Sequence, residues 1–441
     1  MKTKIVKSNG ISGTIRLAGD KSISHRAALF AALATGQSSI ENFLDAGVTR
    51  VLLNNLTKLG VTWQMAGNTL TVEGNGIGGL KEPTDVLFCG NSATTLRLLA
   101  GVIAAAGLDA TLDGSDGLRK RPMKRIIEPL HSMGVPLKGS DSNTAPLKFQ
   151  KRSLFDPLEG QNISLNVASA QVKTCVLLAG LGANTPIIVN EPAQSRDHTE
   201  RLLKLIGAAI TVDEANHSIR LIIPDEIMLN PLDLTIPGDI SSAAFLIVAA
   251  LIIPNSSLRI ENVGLNPTRT GLLDVLIEMG GQISILDERV ENNEPVGTIE
   301  VRSSELVGIE IDGDTIVRMI DEFPIFAIAA VCSEGKTTVR DATELRYKET
   351  DRISVLSGEL LNLGVDIEEK PGGFIIEGGK GISGGECNGH GDHRLAMSLS
   401  ILGTVSEQPI IVKGTGIIKE SFPNFFELLT SLGVDSINLY E

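Results

Sequence analysis

The feature that most constrains this chain is a recurrence. A polar turn opening into a run of strong helix formers occurs six times: Asp20-Lys21-Ser22, Gly90-Asn91-Ser92, Ala168-Ser169-Ala170, Gly238-Asp239-Ile240, Asp321-Glu322-Phe323 and Gly391-Asp392-His393. Counted from residues 20, 90, 168, 238, 321 and 391, the steps are 70, 78, 70, 83 and 70. A second mark runs in phase. Amphipathic stretches end at Gly60, Gly134, Gly207, Gly280, Gly364 and Gly433, where glycine suits the residue just past a helix end. Strand-like stretches follow most of them, at 61–63 and 70–72 or 283–285 and 298–301. Each unit therefore reads as a buried small-residue helix, an amphipathic outer helix and several short strands, an α/β architecture. A solenoid is the alternative. Repeats of about seventy residues are long for one, and stacking gives the polar helix starts no purpose.

A chain of 441 residues exceeds one ordinary core. Six units divide into two domains of three, and the first and fourth match most closely. The expected boundaries are 17–236 for one domain and 1–16 with 237–441 for the other, the N-terminal strand at 2–8 returning to the second. The crossings at 14–18 and 233–237 are short enough to act as a hinge.

At each helix start Asp or Ser caps N–H groups that lack intrahelical partners, and the aligned dipole makes that end positive. Three such ends on one face per domain, opposed across a hinge, predict a cleft for a small anion. The formal charge of −14 argues against a nucleic-acid or anionic-membrane partner, so the cations must be gathered locally. The four cysteines, Cys89, Cys175, Cys332 and Cys387, form no C-x-x-C pair, which fits a reducing cytoplasm. Residues 1–13 hold no apolar signal-peptide core, and the apolar stretches are too short or too polar to cross a bilayer. A cytoplasmic monomer is expected. No H-E-x-x-H, Cys/His set or Walker A sequence occurs, so neither metal nor cofactor is expected, and His25, His390 and His393 read as structural.

Five motifs carry a resemblance. Asp20-Lys21-Ser22-Ile23-Ser24-His25-Arg26, Gly90-Asn91-Ser92-Ala93-Thr94-Thr95-Leu96-Arg97, Arg121-Pro122, Lys348-Glu349-Thr350-Asp351-Arg352 and Asp392-His393-Arg394 resemble, in order and over the whole chain, the signatures of the 5-enolpyruvylshikimate-3-phosphate synthase family. The resemblance implies a two-domain inside-out α/β barrel built from six βαβαββ units. It implies transfer of the enolpyruvyl group of phosphoenolpyruvate to the 5-hydroxyl of shikimate 3-phosphate, through a tetrahedral ketal, with release of phosphate and no cofactor. Lys21, Ala93, Arg121, Gln171, Arg352, Arg394 and Lys419 would line the phosphoenolpyruvate site. Lys21, Ser22, Arg26, Ser169, Ala170, Gln171, Ser195, Arg196, Asp321 and Lys348 would hold shikimate 3-phosphate. Asp321 resembles the base for the hydroxyl, or alternatively a helix cap. Glu349, with Lys21, resembles the proton shuttle to the vinyl carbon, or alternatively an i,i+3 partner of Arg352. Both substrates carry phosphate and carboxylate, which suits planar Arg forks.

The pattern departs in places. Ala93 stands where many relatives have Gly, which predicts a narrowed site and low sensitivity to glyphosate, as in the tolerant branch of the family. Lys419 is shifted by one from the commoner position, and Glu344 replaces an amide. Two other readings compete. A UDP-N-acetylglucosamine enolpyruvyl transferase would carry Cys where Asp116 stands. An RNA 3′-terminal phosphate cyclase would need a basic face, which net −14 opposes.

Overall fold

The computed structural model describes residues 1–223, 228–434 and 436–439, the last four as backbone only. The second repeat shows the plan. Leu87–Phe88 leads through helix Ala93–Ala106 to Ala110–Asp113, which lies parallel to it. The outer helix Lys124–Ser132 follows, and Leu137–Lys138 with Leu147–Phe149 returns antiparallel. A helical crossover is what makes the first pair parallel, whereas short turns make the last pair antiparallel. Among the described residues, all six sheets are four-stranded and keep the order first, second, fourth, third strand.

Three strands come from distant sequence. Ser12–Arg16 precedes the helix Lys21–Leu33 but pairs with Ser257–Gly264, and Asp233–Thr235 precedes Ile240–Ile252 but pairs with Thr35–Glu41. First strands are thus exchanged at the two crossings. The N-terminal strand is Lys2–Ile5, shorter than the expected 2–8, and fills the fourth place of the last sheet between Ile410–Lys413 and Ser436–Leu439. The chain divides into two units, Gly19–Ile236 with Glu291–Glu294, and Met1–Ala18 with Pro237–Val290 and Pro295–Glu441. Each has its own apolar core.

The inner helices Lys21–Leu33, Ala93–Ala106, Ala170–Gly180, Ile240–Ile252, Phe323–Cys332 and His393–Gly403 are buried almost all round, which is why their composition is Ala, Leu, Ile and Val. Small residues allow close approach. A Cβ on Gly101 would lie 2.4 Å from the carbonyl oxygen of Cys175 on the neighbouring inner helix. Side chains cap five of the six starts: Asp20, Ser92, Ser169, Asp239 and Asp392 each accept a hydrogen bond from the first turn. At the fifth start the cap position is Glu322, not Asp321, and Pro324 follows in the first turn. The six outer-helix glycines, Gly60, Gly134, Gly207, Gly280, Gly364 and Gly433, all have positive φ, between 82° and 108°. No described helix is long and apolar enough to cross a membrane.

Candidate active site

In the unit Gly19–Ile236 the first turns of three inner helices are tied together at one end. Arg26, 2 % exposed, donates through Nε to Thr199 Oγ1 at 2.7 Å and through Nη2 to Thr174 Oγ1 at 2.8 Å and Ala170 O at 3.3 Å. It also returns to Ser22 O on its own helix at 3.0 Å. Gln171, second residue of Ala170–Gly180, donates to Thr94 Oγ1 at 2.9 Å and accepts from Arg97 Nη1 at 2.7 Å, both on Ala93–Ala106. Three positive helix ends therefore converge, as the anion-site argument requires. Lys21 opens the first helix, and Ala93, buried, opens the second. Ser22 follows Lys21, and Ser169 and Ala170 stand at the start of the third.

Arg121 follows the short helix Asp116–Arg119. Arg119 forks onto Asp113 at 2.9 and 2.5 Å, pinning that turn, and its hydrogen bonds hold the Asp113 carboxyl below its ordinary range. Asp116 is exposed on the turn. Ser195 and Arg196 lie on the loop entering helix His198–Leu205. The Ser195 hydroxyl is buried and donates to Glu191 Oε1 at 2.5 Å, whereas Arg196 is only half-buried. His25 is fully buried and donates from Nδ1 to Lys21 O at 2.8 Å. Desolvation, with the nearby Lys21 and Arg26 charges, lowers its pKa to about 4, so the ring is neutral. His198 is buried with Nδ1 2.7 Å from Glu294 Oε1.

The other unit gathers charge of both signs. Asp321 lies 3.5 Å from Lys348 Nζ, 3.5 Å from Arg352 Nη1 and 3.8 Å from Arg394 Nη2. Arg352 also meets Glu349 Oε2 at 2.8 Å and Asp392 Oδ2 at 2.8 Å. Its guanidinium is 3 % exposed, and although burial alone would lower its pKa, the carboxylates of Asp392, Glu349 and Asp321 outweigh that and raise it. Burial likewise disfavours the Asp392 carboxylate, yet Arg352 holds its pKa down. Beneath them, Glu322 accepts from Ser241 Oγ and lies 3.6 Å from Arg394 Nη1. Here too the first turns of three inner helices meet.

The alternative reading of Glu349 as a partner of Arg352 is therefore realised, while Asp321 sits before the cap rather than on it. Lys419 is exposed on the turn Thr415–Glu420, and Glu344 lies on the turn Thr343–Tyr347. Sequence reasoning gave no role to Thr174 and Thr199 and named Thr94 and Arg97 only within a motif; these four hold Arg26 and Gln171 in place. The available signal was a polar residue inside a mostly apolar inner helix, which holds for Thr94, Arg97 and Thr174 but not for Thr199 on the polar outer helix His198–Leu205. Among the described residues no three His, Cys, Asp or Glu side chains are placed to hold a metal ion.

Known proteins agree with this architecture. The family described as EPSP synthase (3-phosphoshikimate 1-carboxyvinyltransferase) matches residues 5–429. The 3-phosphoshikimate 1-carboxyvinyltransferase of Pelobacter propionicus is 45% identical over 426 residues, covering 96% of this chain and 97% of its own length. That of Petrotoga mobilis is 46% identical over 435 residues, covering 98% and 99%. The solved EPSP synthase of Acinetobacter baumannii superimposes with a TM-score of 0.86 at 37% identity, covering 99% of this chain and all of that one. With sequence and fold agreeing from end to end, this chain belongs to the EPSP synthase family.

Proposed function

We propose that this chain transfers the enolpyruvyl group of phosphoenolpyruvate to the 5-hydroxyl of shikimate 3-phosphate, releasing phosphate, and that Asp321 and Glu349 move the protons. The observation that carries the reading is the joint hold of buried Arg352 on both carboxylates, with Lys348 and Arg394 beside Asp321. Asp321 takes the 5-hydroxyl proton as that oxygen bonds to C2 of phosphoenolpyruvate. Glu349, with Lys21, delivers a proton to the vinyl CH2, giving a tetrahedral ketal with a methyl group. The C2–phosphate oxygen bond then breaks, phosphate leaves with the proton from Asp321, and Glu349 takes one methyl proton to restore the double bond.

Lys21, Arg121, Gln171, Arg352 and Arg394 hold phosphoenolpyruvate, with Ala93 against it and Lys419 as an outer contact. Lys21, Ser22, Arg26, Ser169, Ala170, Gln171, Ser195, Arg196, Asp321 and Lys348 form the shikimate 3-phosphate site. The hinge lies near 14–18 and 233–237, and the enzyme closes on it during the reaction. The enzyme works in the cytoplasm as a monomer. The test is phosphate release on mixing the protein with both substrates. Release with UDP-N-acetylglucosamine in place of shikimate 3-phosphate would overturn the assignment; exposed Asp116, where that reaction's family carries Cys, opposes it.

The Ala93 methyl at the start of its helix narrows the room beside the phosphoenolpyruvate phosphate, and glyphosate is longer than the substrate. The enzyme is therefore tolerant, and Ala93→Gly lowers the glyphosate concentration giving half inhibition by about tenfold or more. Micromolar inhibition of the unaltered enzyme, an order-of-magnitude bar set by ordinary substrate affinities, would refute this.

A further inference from the structure

Behind the residues 195–196 loop lies a charged cluster with no part in the proton transfers. Lys173, 1 % exposed, places Nζ 2.7 Å from Glu191 Oε2, 2.7 Å from Glu200 Oε1 and 3.4 Å from the carbonyl oxygen of Ser195. The other oxygen of Glu191 accepts the Ser195 hydroxyl at 2.5 Å, and Glu200 Oε2 is buried with no hydrogen-bond partner among the described residues. One ammonium therefore faces two carboxylates away from water. Desolvation pushes the Glu200 carboxyl up despite Lys173, and the two glutamates keep Lys173 raised against the same effect.

Stability does not account for such a group, because well-packed apolar side chains of similar volume are often as stable or more so. Its connectivity does. Lys173 is two residues beyond Gln171 on the third inner helix, and its backbone N–H donates to Ser169 O at 2.9 Å. Its three acceptors belong to the end of strand Ile187–Asn190, the loop, and helix His198–Leu205. We propose that Lys173, with Glu191 and Glu200, is a positioning set that fixes the loop bearing Ser195 and Arg196 against residues 169–171, and so sets affinity for the phosphate of shikimate 3-phosphate. This rests on the assignment of those residues to that substrate. The Ser195 hydroxyl has one proton and gives it to Glu191, so Ser195 borders the site while Arg196 is the loop's side-chain donor to the phosphate, and its aim depends on the clamp.

The test compares Lys173→Met, Lys173→Arg and the neutral triple variant Lys173→Met/Glu191→Gln/Glu200→Gln in the full-length enzyme, with thermal unfolding recorded for each. The triple variant guards against a fold lost through two unpaired buried carboxylates. Lys173→Met and the triple variant should raise KM for shikimate 3-phosphate about tenfold or more, with KM for phosphoenolpyruvate changed less than threefold; Lys173→Arg should recover part of the loss. An unchanged KM for shikimate 3-phosphate in the folded triple variant overturns the proposal. A triple variant that fails to fold overturns it too, assigning the cluster to stability. Failure of the underlying reading is distinct, since unaltered enzyme would then release no phosphate from this substrate pair.

Discussion

Asp321 stands apart from the helix cap. Its position one before Glu322 removes it from capping, and three cations lie within 3.8 Å of it. Asp321→Asn keeps the shape but not the base, so kcat should fall by about 10²–10⁴, the range for a lost general acid–base group. Equilibrium binding of shikimate 3-phosphate should persist, and its loss in a calorimetric titration would recast Asp321 as a binding residue. His25 gives a second, independent check. Its folded pKa of about 4 lies below the unfolded value of 6.5, so the unfolded chain binds the extra proton between those values. Stability attributable to this ring is full above pH 6.5 and falls as pH drops toward 4, by about 3 kcal/mol at 1.36 kcal/mol per pH unit. His25→Asn, which can still donate to Lys21 O, should lose correspondingly less stability than the unaltered protein between pH 7 and pH 4 in urea titrations. Equal losses would show that His25 is not buried neutral. At this scale the sequence resemblance pointed to Asp321, Glu349 and Arg352, which the structure brings together. That resemblance could not point to Lys173 or Glu322, since a lysine on a helix reads as a solvated face until its neighbours are known.

Helices were the most readable elements because their ends are local. Asp or Ser two or three residues before a bonded N–H, and glycine at positive φ after the last turn, need no knowledge of the rest of the chain. What local pattern leaves open is how closely two helices approach, and glycine substitution measures that. Gly101 and Gly358 both lie inside helices, and Ala would favour helix at either by about 1 kcal/mol. At Gly358 an added methyl meets nothing within 4 Å, so Gly358→Ala should raise stability by about 0.5–1 kcal/mol. At Gly101 the same methyl would lie 2.4 Å from a backbone carbonyl oxygen, which cannot rotate aside. Overpacking of about 1–3 kcal/mol then outweighs the propensity gain, and Gly101→Ala should lower stability. Denaturant midpoints that shift in the same direction for both variants would contradict the packing of Ala93–Ala106 on Ala170–Gly180.

Across the whole chain, the sixfold recurrence set out the architecture and the N-terminal strand was expected to return to the second domain, whereas the partners of the exchanged strands were hidden from it. Sequence periodicity marks where a strand lies but not its partner, and pairings such as Ser12–Arg16 with Ser257–Gly264 span more than half the chain. The N-terminal strand is the most consequential of these. The first residues of a domain can usually be removed at little cost unless they are tied into a sheet. Lys2–Ile5 is tied in on both sides, with Lys2 opposite Lys413 and Leu439, and Ile5 opposite Ile410 and Ser436. It is also buried at Thr3 and Ile5, and Gly403 packs against the Ile5 side chain. Deleting residues 1–8 would therefore split one sheet through its middle, strip both neighbours of hydrogen bonds and open a cavity beside helix His393–Gly403. The two units hold separate apolar cores, so the damage belongs to one of them. Hydrogen exchange on the truncated protein should show lost protection in the repeat spanning 385–434, with protection retained in 19–223. Uniform loss across both units would mean that they do not fold on separate cores, and unchanged protection at 410–413 would mean that the N-terminal strand is not the partner that holds that sheet closed.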